Sequence, residues 1–220
     1  MEYIEGLFVE EEKSRFLCRV KVDGIEEKCY VPSSCKLGKL ISLKGERVWL
    51  KPIKSEKTEL RYSLYAVKKG RSWILLNLSE ANSILGDQLQ RKRFDFLGER
   101  QDLVYEKPVE KYKADVYLSN SRTIVEVKTV LTEERQGVFP GVSSKRTVSQ
   151  LKQLSALLEK DYKACLMLMS LNPCTKSIRF TEDIKGYVQD SVDKGMICKG
   201  YSIRFRNRKP IIGDEVEIIL

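Results

Sequence analysis

The segment from Ala114 to Val130 constrains the fold of this chain more than any other. It holds two strand-like stretches separated by Ser119-Asn120-Ser121, three residues of the types that favour turns. The pattern therefore predicts a β-hairpin. Because side chains alternate between the two faces of a strand, Glu126 and Lys128 should share one face of the second strand and the valines beside them the other.

Asp115 lies on the first strand of this hairpin, so its carboxylate should come near Glu126 and Lys128. Mg²⁺ is usually held by one or two carboxylates together with water and phosphate oxygens, and Mn²⁺ accepts the same ligands. We expect Asp115 and Glu126 to bind such a metal and Lys128 to orient water or stabilise a developing anion. Ordinary amphipathic alternation also produces Glu-Val-Lys, so the tripeptide alone leaves a plain half-exposed strand as the alternative.

The chain contains no histidine, which excludes Ser-His-Asp and Cys-His catalysis and all histidine metal sites. A catalytic base must therefore be a carboxylate, a lysine, a cysteine or water. The six cysteines form no Cys-x-x-Cys pair and mostly adjoin apolar residues, a pattern typical of buried reduced thiols rather than of zinc ligands.

Residues 1–78 consist of short strand patterns separated by turn signals such as Asp23-Gly24 and Lys69-Gly70. Such spacing predicts a small barrel of the OB or SH3 type. This part has sixteen Lys and Arg against eleven Asp and Glu, which suits a nucleic-acid platform. Its interleaved aromatic residues can stack on bases, although most should fill the core.

From about residue 79 the pattern changes to an α-β-β-β-α-β order, followed by a further helix and two strands. We therefore expect residues 79–220 to form a mixed-sheet α/β domain. The fold class predicted for the whole chain is α/β (α+β), with an OB-like barrel followed by this domain.

The formal charge of +9 and the pI near 9.2 favour a polyanionic partner. The first residues lack the basic and then apolar pattern of a signal sequence, and no apolar run approaches the roughly 20 residues that a membrane span needs. We therefore expect a cytoplasmic protein with no membrane partner.

An α-β-β-β-α-β core with Asp115 on one strand and Glu126-x-Lys128 on the next resembles the PD-(D/E)XK nuclease superfamily, whose members act on DNA with Mg²⁺. Members often add an acid from the first helix and a polar group from the helix after the motif. The resemblance places Asp87 and Gln150 in those roles, Asp87 as a further metal ligand and Gln150 as a catalytic residue.

The chain also resembles the sugar fermentation stimulation protein family, in which an OB domain precedes such a nuclease-like domain. The likeness rests on six stretches: Arg15-Phe16, Val31 to Leu37, Asn82 to Leu89, Glu126 to Val130, Gly137 to Pro140, and Lys145-Arg146. Some positions depart from the family pattern: Gly141 stands where an acid is expected, Thr147 where Gly is expected, and Gln150 where His is expected. Gln150 can still hydrogen-bond a phosphate or a water.

Basic residues near these motifs are the predicted DNA contacts: Arg15, Lys36 and Lys39 on the barrel, and Lys145 and Arg146 beside the metal. Contacts to phosphates position nucleic acid without reading its sequence, so binding should be largely nonspecific and strongly salt-dependent.

Three functional interpretations follow. The leading one is a DNA-binding nuclease that uses Mg²⁺ or Mn²⁺, with RNA as a further possible substrate. The alternative is a non-enzymatic DNA-binding regulator, as this family has often been described. A third is an RNA-binding OB protein with a structural C-terminal domain. The intact trio favours the nuclease, because clustered carboxylates repel phosphate unless a cation neutralises them. The oligomeric state stays open, with a homodimer among the alternatives.

Overall fold

The N-terminal strands close into a barrel, as predicted for an OB domain. The structure is a computed structural model that describes residues 3–33, 35–55, 58–142 and 145–220. Ser34, within the family-like motif at residues 31–37, lies outside the described residues. The strands are β1 (Ile4–Glu11), β2 (Leu17–Val22), β3 (Ile25–Tyr30), β4 (Arg47–Pro52), β5 (Tyr62–Lys69) and β6 (Ser72–Leu75).

Strand pairing closes the barrel through five of these strands. β1, β2 and β3 form an antiparallel meander, β4 joins β1 to β5, and β3 pairs in parallel with β5. β6 extends the sheet beyond the barrel along β5. Asp23 and Gly24 form the β2–β3 turn with φ angles of 48° and 88°, the positive values that a tight hairpin turn of this type requires.

A stack of aromatic rings fills the side of the barrel that faces the second domain. The Trp49 ring lies 3.9 Å from that of Trp73 and 5.3 Å from that of Tyr3, measured between centroids. Phe205, from the second domain, meets Trp49 edge-on at 5.2 Å. The two domains therefore share one apolar core.

The spacing of Ile84, Leu85 and Leu89 predicts a helix that begins at Ser79 and ends before Arg91, but the segment after the barrel is less helical than that. It forms one short helix, α1 (Ala81–Gly86), and then a 3₁₀ helix over Lys92–Leu97. Gly86 lies directly against the Tyr105 ring, so a side chain at this position would collide with the Tyr105 hydroxyl. Glycine, which avoids this collision but is a poor helix former, thus stands where α1 ends and the expected helix would have continued.

The second domain is built on an eight-stranded mixed sheet. Its strands are β7 (Leu103–Val109), β8 (Tyr112–Leu118), β9 (Thr123–Val130), β10 (Gln136–Phe139), β11 (Lys163–Ser170), β12 (Ser177–Phe180), β13 (Ile197–Arg206) and β14 (Lys209–Ile219). Their order across the sheet is β10-β12-β14-β13-β11-β9-β8-β7. The predicted hairpin is β8–β9, and β9 has the bounds expected for its second strand, from Thr123 to Val130. β10 and β12, with four residues each, were not predicted.

Helices cover one face of this sheet and the barrel covers the other. α2 (Lys145–Leu158) and α3 (Glu182–Asp193) pack on the first face through side chains such as Leu154 and Val188. Val125 and Val127 of β9 point to the barrel side, as the alternation predicted. Glu126 and Lys128 therefore face α2. Among the residues that the structure describes, no helix combines the length and apolar character needed to cross a membrane.

Candidate functional site

The β8–β9 hairpin opens at Asp115. Regular pairing between the two strands runs from Leu118 and Thr123 to Val116 and Val125 and stops there. The carboxylate Oδ2 of Asp115 then accepts a hydrogen bond from the backbone N–H of Val127 at 2.8 Å. The side chain thus replaces a ladder hydrogen bond, which fixes the Asp115 carboxylate beside β9.

Glu126 is a buried carboxylate surrounded by hydrogen-bond donors. Only 1% of the residue is exposed. Its Oε1 accepts from Lys128 Nζ at 2.5 Å and from Gln150 Nε2 at 2.7 Å, and its Oε2 accepts from the hydroxyl of Tyr112. A buried carboxylate needs such partners, because desolvation without them costs several kcal/mol.

Gln150 and Lys128 complete the cluster through a contact of their own. The Oε1 of Gln150 accepts a hydrogen bond from Lys128 Nζ at 2.8 Å while its amide nitrogen donates to Glu126. α2 supplies Gln150 from the face that packs on the sheet. Glu126, Lys128 and Gln150 therefore form a closed ring of hydrogen bonds, and we call these three residues with Asp115 the carboxylate–lysine cluster.

Burial has the largest influence on Glu126 and raises the pKa of its carboxyl above the ordinary value. The ammonium of Lys128 opposes this rise, and the negative charge of Asp115 adds to it. Burial also raises the pKa of Tyr112, with the charge of Glu126 as the next cause. Two carboxylates thus lie close enough to repel each other, and Lys128 compensates only part of their charge.

The cluster opens into a cavity of about 540 Å³ between the barrel and the second domain. Six consecutive residues, from Glu126 to Leu131, line it, because β8 has separated from β9 and left that edge of the strand accessible. The barrel side contributes Cys35 and Leu40, and α1 contributes Asn82. A polymeric substrate would therefore contact both domains at once.

The structure does not bring Asp87 to this cluster. Asp87 is exposed at the C-terminal end of α1, where its backbone N–H caps the helix and its charge contributes to raising the pKa of Tyr105. Ala81 and Asn82, more than one turn earlier, are the α1 residues that line the cavity. Within the described parts of the chain, no three His, Cys, Asp or Glu side chains are grouped to hold a metal ion.

The predicted basic contacts lie on two sides of the cavity. Arg146 lines it, and Lys145 is exposed beside Arg146 at the start of α2, whose first turn has no acidic residue. On the barrel side, Lys36 precedes and Lys39 ends a 3₁₀ turn at Leu37–Lys39. The two lysines adjoin the cavity-lining residues Cys35 and Leu40 in sequence. Arg15 lies further away, with its guanidinium 4.6 Å from the centroid of the Phe16 ring.

Sequence reasoning missed Tyr112. Simple alternation along β8 would place its ring with Val116 and Leu118, on the barrel side. In the structure Tyr112 packs on the helix side of the sheet and Val116 on the barrel side, so β8 changes face at Asp115. On the neighbouring strand β7, Glu106 lies between the residues that pair with Val116 and Ala114, and it has a left-handed φ of 50°. No signal in the sequence marks this irregularity, which turns Tyr112 toward Glu126.

The chemistry of the donors fits a hard divalent cation. Asp115 and Glu126 supply carboxylate oxygens, and Oδ1 of Asp115 accepts no hydrogen bond from the residues that the structure describes. Two carboxylates with water and phosphate oxygens are the usual protein ligands of Mg²⁺. The cluster therefore has the ligand types for Mg²⁺ or Mn²⁺, without a third acid.

Fold and site together define a class of protein in which an OB barrel packs on a mixed-sheet α/β domain that carries a carboxylate–lysine cluster at their junction. Residues 79–207 match the family described as the sugar fermentation stimulation protein RE domain, and residues 11–76 match the SfsA N-terminal OB domain. The chain belongs to the sugar fermentation stimulation protein family, SfsA. An OB domain in this family suggests nucleic-acid binding.

Similar proteins cover most or all of the chain. A sugar fermentation stimulation protein homolog of Pseudoalteromonas atlantica is 30% identical over 232 residues, with 99% of this chain and 97% of the relative covered. A homolog of Methanobrevibacter smithii is 28% identical, with 81% and 80% covered. The solved structure of Pyrococcus furiosus SfsA in complex with Ca²⁺ has a TM-score of 0.81 at 14% identity, and the match covers 100% of this chain and 96% of that one.

Proposed function

We propose that this protein binds DNA and hydrolyses its phosphodiester bonds with Mg²⁺ or Mn²⁺ held by Asp115 and Glu126. The observation that carries the proposal is the carboxylate–lysine cluster itself, in which two carboxylates and one ammonium meet in a cavity between the domains. The Pyrococcus furiosus relative was solved in complex with Ca²⁺, another divalent cation with oxygen ligands, which supports a divalent site.

The side chains of the cluster have separate tasks in this mechanism. A bound divalent ion lowers the pKa of its water and offsets charge on the phosphate. The Lys128 ammonium donates hydrogen bonds to Glu126 and Gln150, which hold it in the cavity. From there it can also donate to the attacking water or to the developing anion. Tyr112 orients Glu126 from the other side.

Cations around the cavity position the substrate. Arg146 lines the cavity, and Lys36 directly follows Cys35, which lines the barrel side of the cavity. One cation can therefore contact a phosphate on each side of the scissile bond. Such contacts carry little sequence information, and they make affinity fall steeply with salt. Binding should therefore be largely nonspecific, with RNA as a further possible substrate.

A DNA-binding regulator without cleavage is the second candidate. The observation in its favour is that Glu126 already has all its partners within the chain, with Lys128 as a built-in counter-cation. Such a cluster can stabilise the fold without a metal.

One experiment separates the two candidates. Linear and circular DNA are incubated with purified protein and Mg²⁺ or Mn²⁺, using wild type, Glu126→Gln, Lys128→Ala and, as a control, Glu217→Gln, which changes an exposed acid on β14. The nuclease proposal predicts metal-dependent cutting by wild type and the control, and loss of cutting in both cluster variants. Cutting that persists in the two cluster variants, or binding by wild type without cutting, would contradict the proposed mechanism.

A further inference from the structure

Two exposed aromatic residues have neighbouring backbone positions at one end of the barrel. Phe16 is 41% exposed and Tyr30 is 38% exposed. Their backbones are neighbours, because Leu17 pairs with Tyr30 across β2 and β3 and the Phe16 carbonyl accepts a hydrogen bond from Val31 N–H at 2.8 Å. We call Phe16 and Tyr30 the aromatic pair. The core does not use these rings, unlike those of Tyr3, Phe8, Trp49 and Tyr65.

A second cavity connects Tyr30 of the aromatic pair to the carboxylate–lysine cluster. It has a volume of about 360 Å³ and begins at Tyr30. It shares three lining residues with the larger cavity, namely Leu78, Ser79 and Thr129. Thr129 directly follows Lys128 on β9, so one continuous groove runs from the cluster across the domain junction to Tyr30, the backbone neighbour of Phe16.

The charges along this groove suit a polyanion. No acidic side chain lines the second cavity within the described residues. Arg15 lies over the Phe16 ring, and Lys36 follows Cys35, a wall residue of the larger cavity. Neither Arg15 nor Lys36 forms an ion pair with any residue that the structure describes, so both charges are available to a ligand.

We propose that this groove binds single-stranded DNA, including the single-stranded ends of a duplex, with bases stacked on Tyr30 and Phe16. This substrate class rests on the proposed function, since it specifies which DNA reaches the cluster. Aromatic rings bind bases through their faces, which double-stranded DNA keeps stacked inside the helix and an unpaired strand exposes. Lys36 would contact phosphates between the stacked bases and the cluster, and Arg15 would contact those next to Phe16.

Binding measured without catalysis tests this inference. Fluorescence anisotropy in EDTA compares an oligothymidylate with a strand of the same length that carries the same sugar-phosphates but no bases. The variants are Phe16→Ala, Tyr30→Ala and Tyr30→Phe. Tyr187→Ala is the matched control, because Tyr187 is also 36% exposed but lies on α3, away from both cavities.

We expect wild type to bind the oligothymidylate more tightly than the base-free strand. Phe16→Ala and Tyr30→Ala should each weaken binding of the oligothymidylate by about 5- to 150-fold while changing binding of the base-free strand little. Tyr30→Phe and Tyr187→Ala should both bind like wild type.

Equal affinity of wild type for the two strands would overturn the inference, as would alanine variants that weaken both strands equally or neither. A protein that shows the expected dependence on bases but never cleaves DNA would contradict the nuclease proposal alone. The two proposals can therefore fail independently.

Discussion

At the scale of single residues, the site depends on how Glu126 is held. Its two oxygens receive three donors from three different elements: Tyr112 of β8, Lys128 of β9 and Gln150 of α2. Partners that orient a metal ligand typically change metal affinity or activity by about 10- to 100-fold when removed. In the proposed function Tyr112 is therefore a positioning residue, whose loss should weaken metal binding by Glu126.

Tyr112→Phe tests this role. Removing the hydroxyl deletes one hydrogen bond to the Glu126 carboxylate but keeps the buried ring, so the free energy of unfolding should fall by about 1.5–3 kcal/mol. Metal affinity measured by titration should fall by about 10- to 100-fold. Tyr117→Phe on the same strand is the control and should change neither quantity. Unchanged metal affinity in Tyr112→Phe would contradict a positioning role.

The sequence could reveal Glu126 and Lys128 because alternation along β9 is local and regular. The family resemblance predicted Gln150 as a partner of these residues, on the helix after the hairpin. In the structure Gln150 is hydrogen-bonded to both Glu126 and Lys128. Tyr112 could not be found, because its position depends on an irregularity between β7 and β8 that no turn residue marks. Asp87 was misplaced because it lies five positions after the cavity-lining Asn82, about 140° around a helix, so its side chain leaves α1 in another direction.

At the scale of elements, one carboxylate fixes the turn that carries the barrel's cations. Glu11, at the end of β1, accepts hydrogen bonds from the backbone N–H groups of Leu37 and Gly38 at 2.7 and 2.8 Å. Hydrogen bonds to charged groups contribute about 1.5–3 kcal/mol each in net stability. Glu11 therefore holds Lys36 and Lys39 at the rim of the cavity.

Glu11→Ala should lower the free energy of unfolding by about 1.5–3 kcal/mol or more, because two backbone N–H groups lose their acceptor. DNA affinity at low salt should fall as well, since the lysines of the turn lose their fixed position. Urea denaturation and anisotropy measure the two effects. Glu11→Gln, which keeps one acceptor oxygen, should lie between the alanine variant and wild type. Full stability in Glu11→Ala would exclude the proposed anchoring.

At the scale of the whole molecule, the two domains form one structural unit. Lys69 of the barrel pairs with Glu46 at 3.0 Å and with Glu133 of the second domain at 2.9 Å. The backbone N–H of Leu75 donates to the Leu171 carbonyl at 3.1 Å, and Phe205 packs against the barrel tryptophan stack. The groove between the domains is thereby held open by fixed walls.

This shared core predicts a single cooperative unfolding transition for both domains. Phe205→Ala should lower the free energy of unfolding in that transition. Because Phe205 is partly exposed, the loss should be smaller than the value for a fully buried phenylalanine, about 3–5 kcal/mol. Tryptophan fluorescence reports on the barrel and circular dichroism on the whole chain. The two signals should change together; separate transitions would show that the domains unfold independently.

Buried tyrosines predict a loss of stability at high pH. Burial raises the pKa of Tyr201 to about 12 and raises that of Tyr65 further, whereas the unfolded chain has ordinary values near about 10. Above pH about 10 the unfolded state therefore binds fewer protons than the folded state, and the free energy of unfolding falls as pH rises toward 12. Urea denaturation between about pH 8 and 11 should show this decrease, and Tyr201→Phe should reduce its slope. A constant stability over that range would contradict it.

The central claim is that Asp115 and Glu126 together hold a divalent cation, and a calorimetric titration of the protein with Mn²⁺ tests it most directly. Wild type and the surface control Glu217→Gln should each bind Mn²⁺ at a site that Glu126→Gln and Asp115→Asn both lose while remaining folded. Mn²⁺ binding of equal strength in wild type and the two cluster variants, or no binding by folded wild type, would contradict the account.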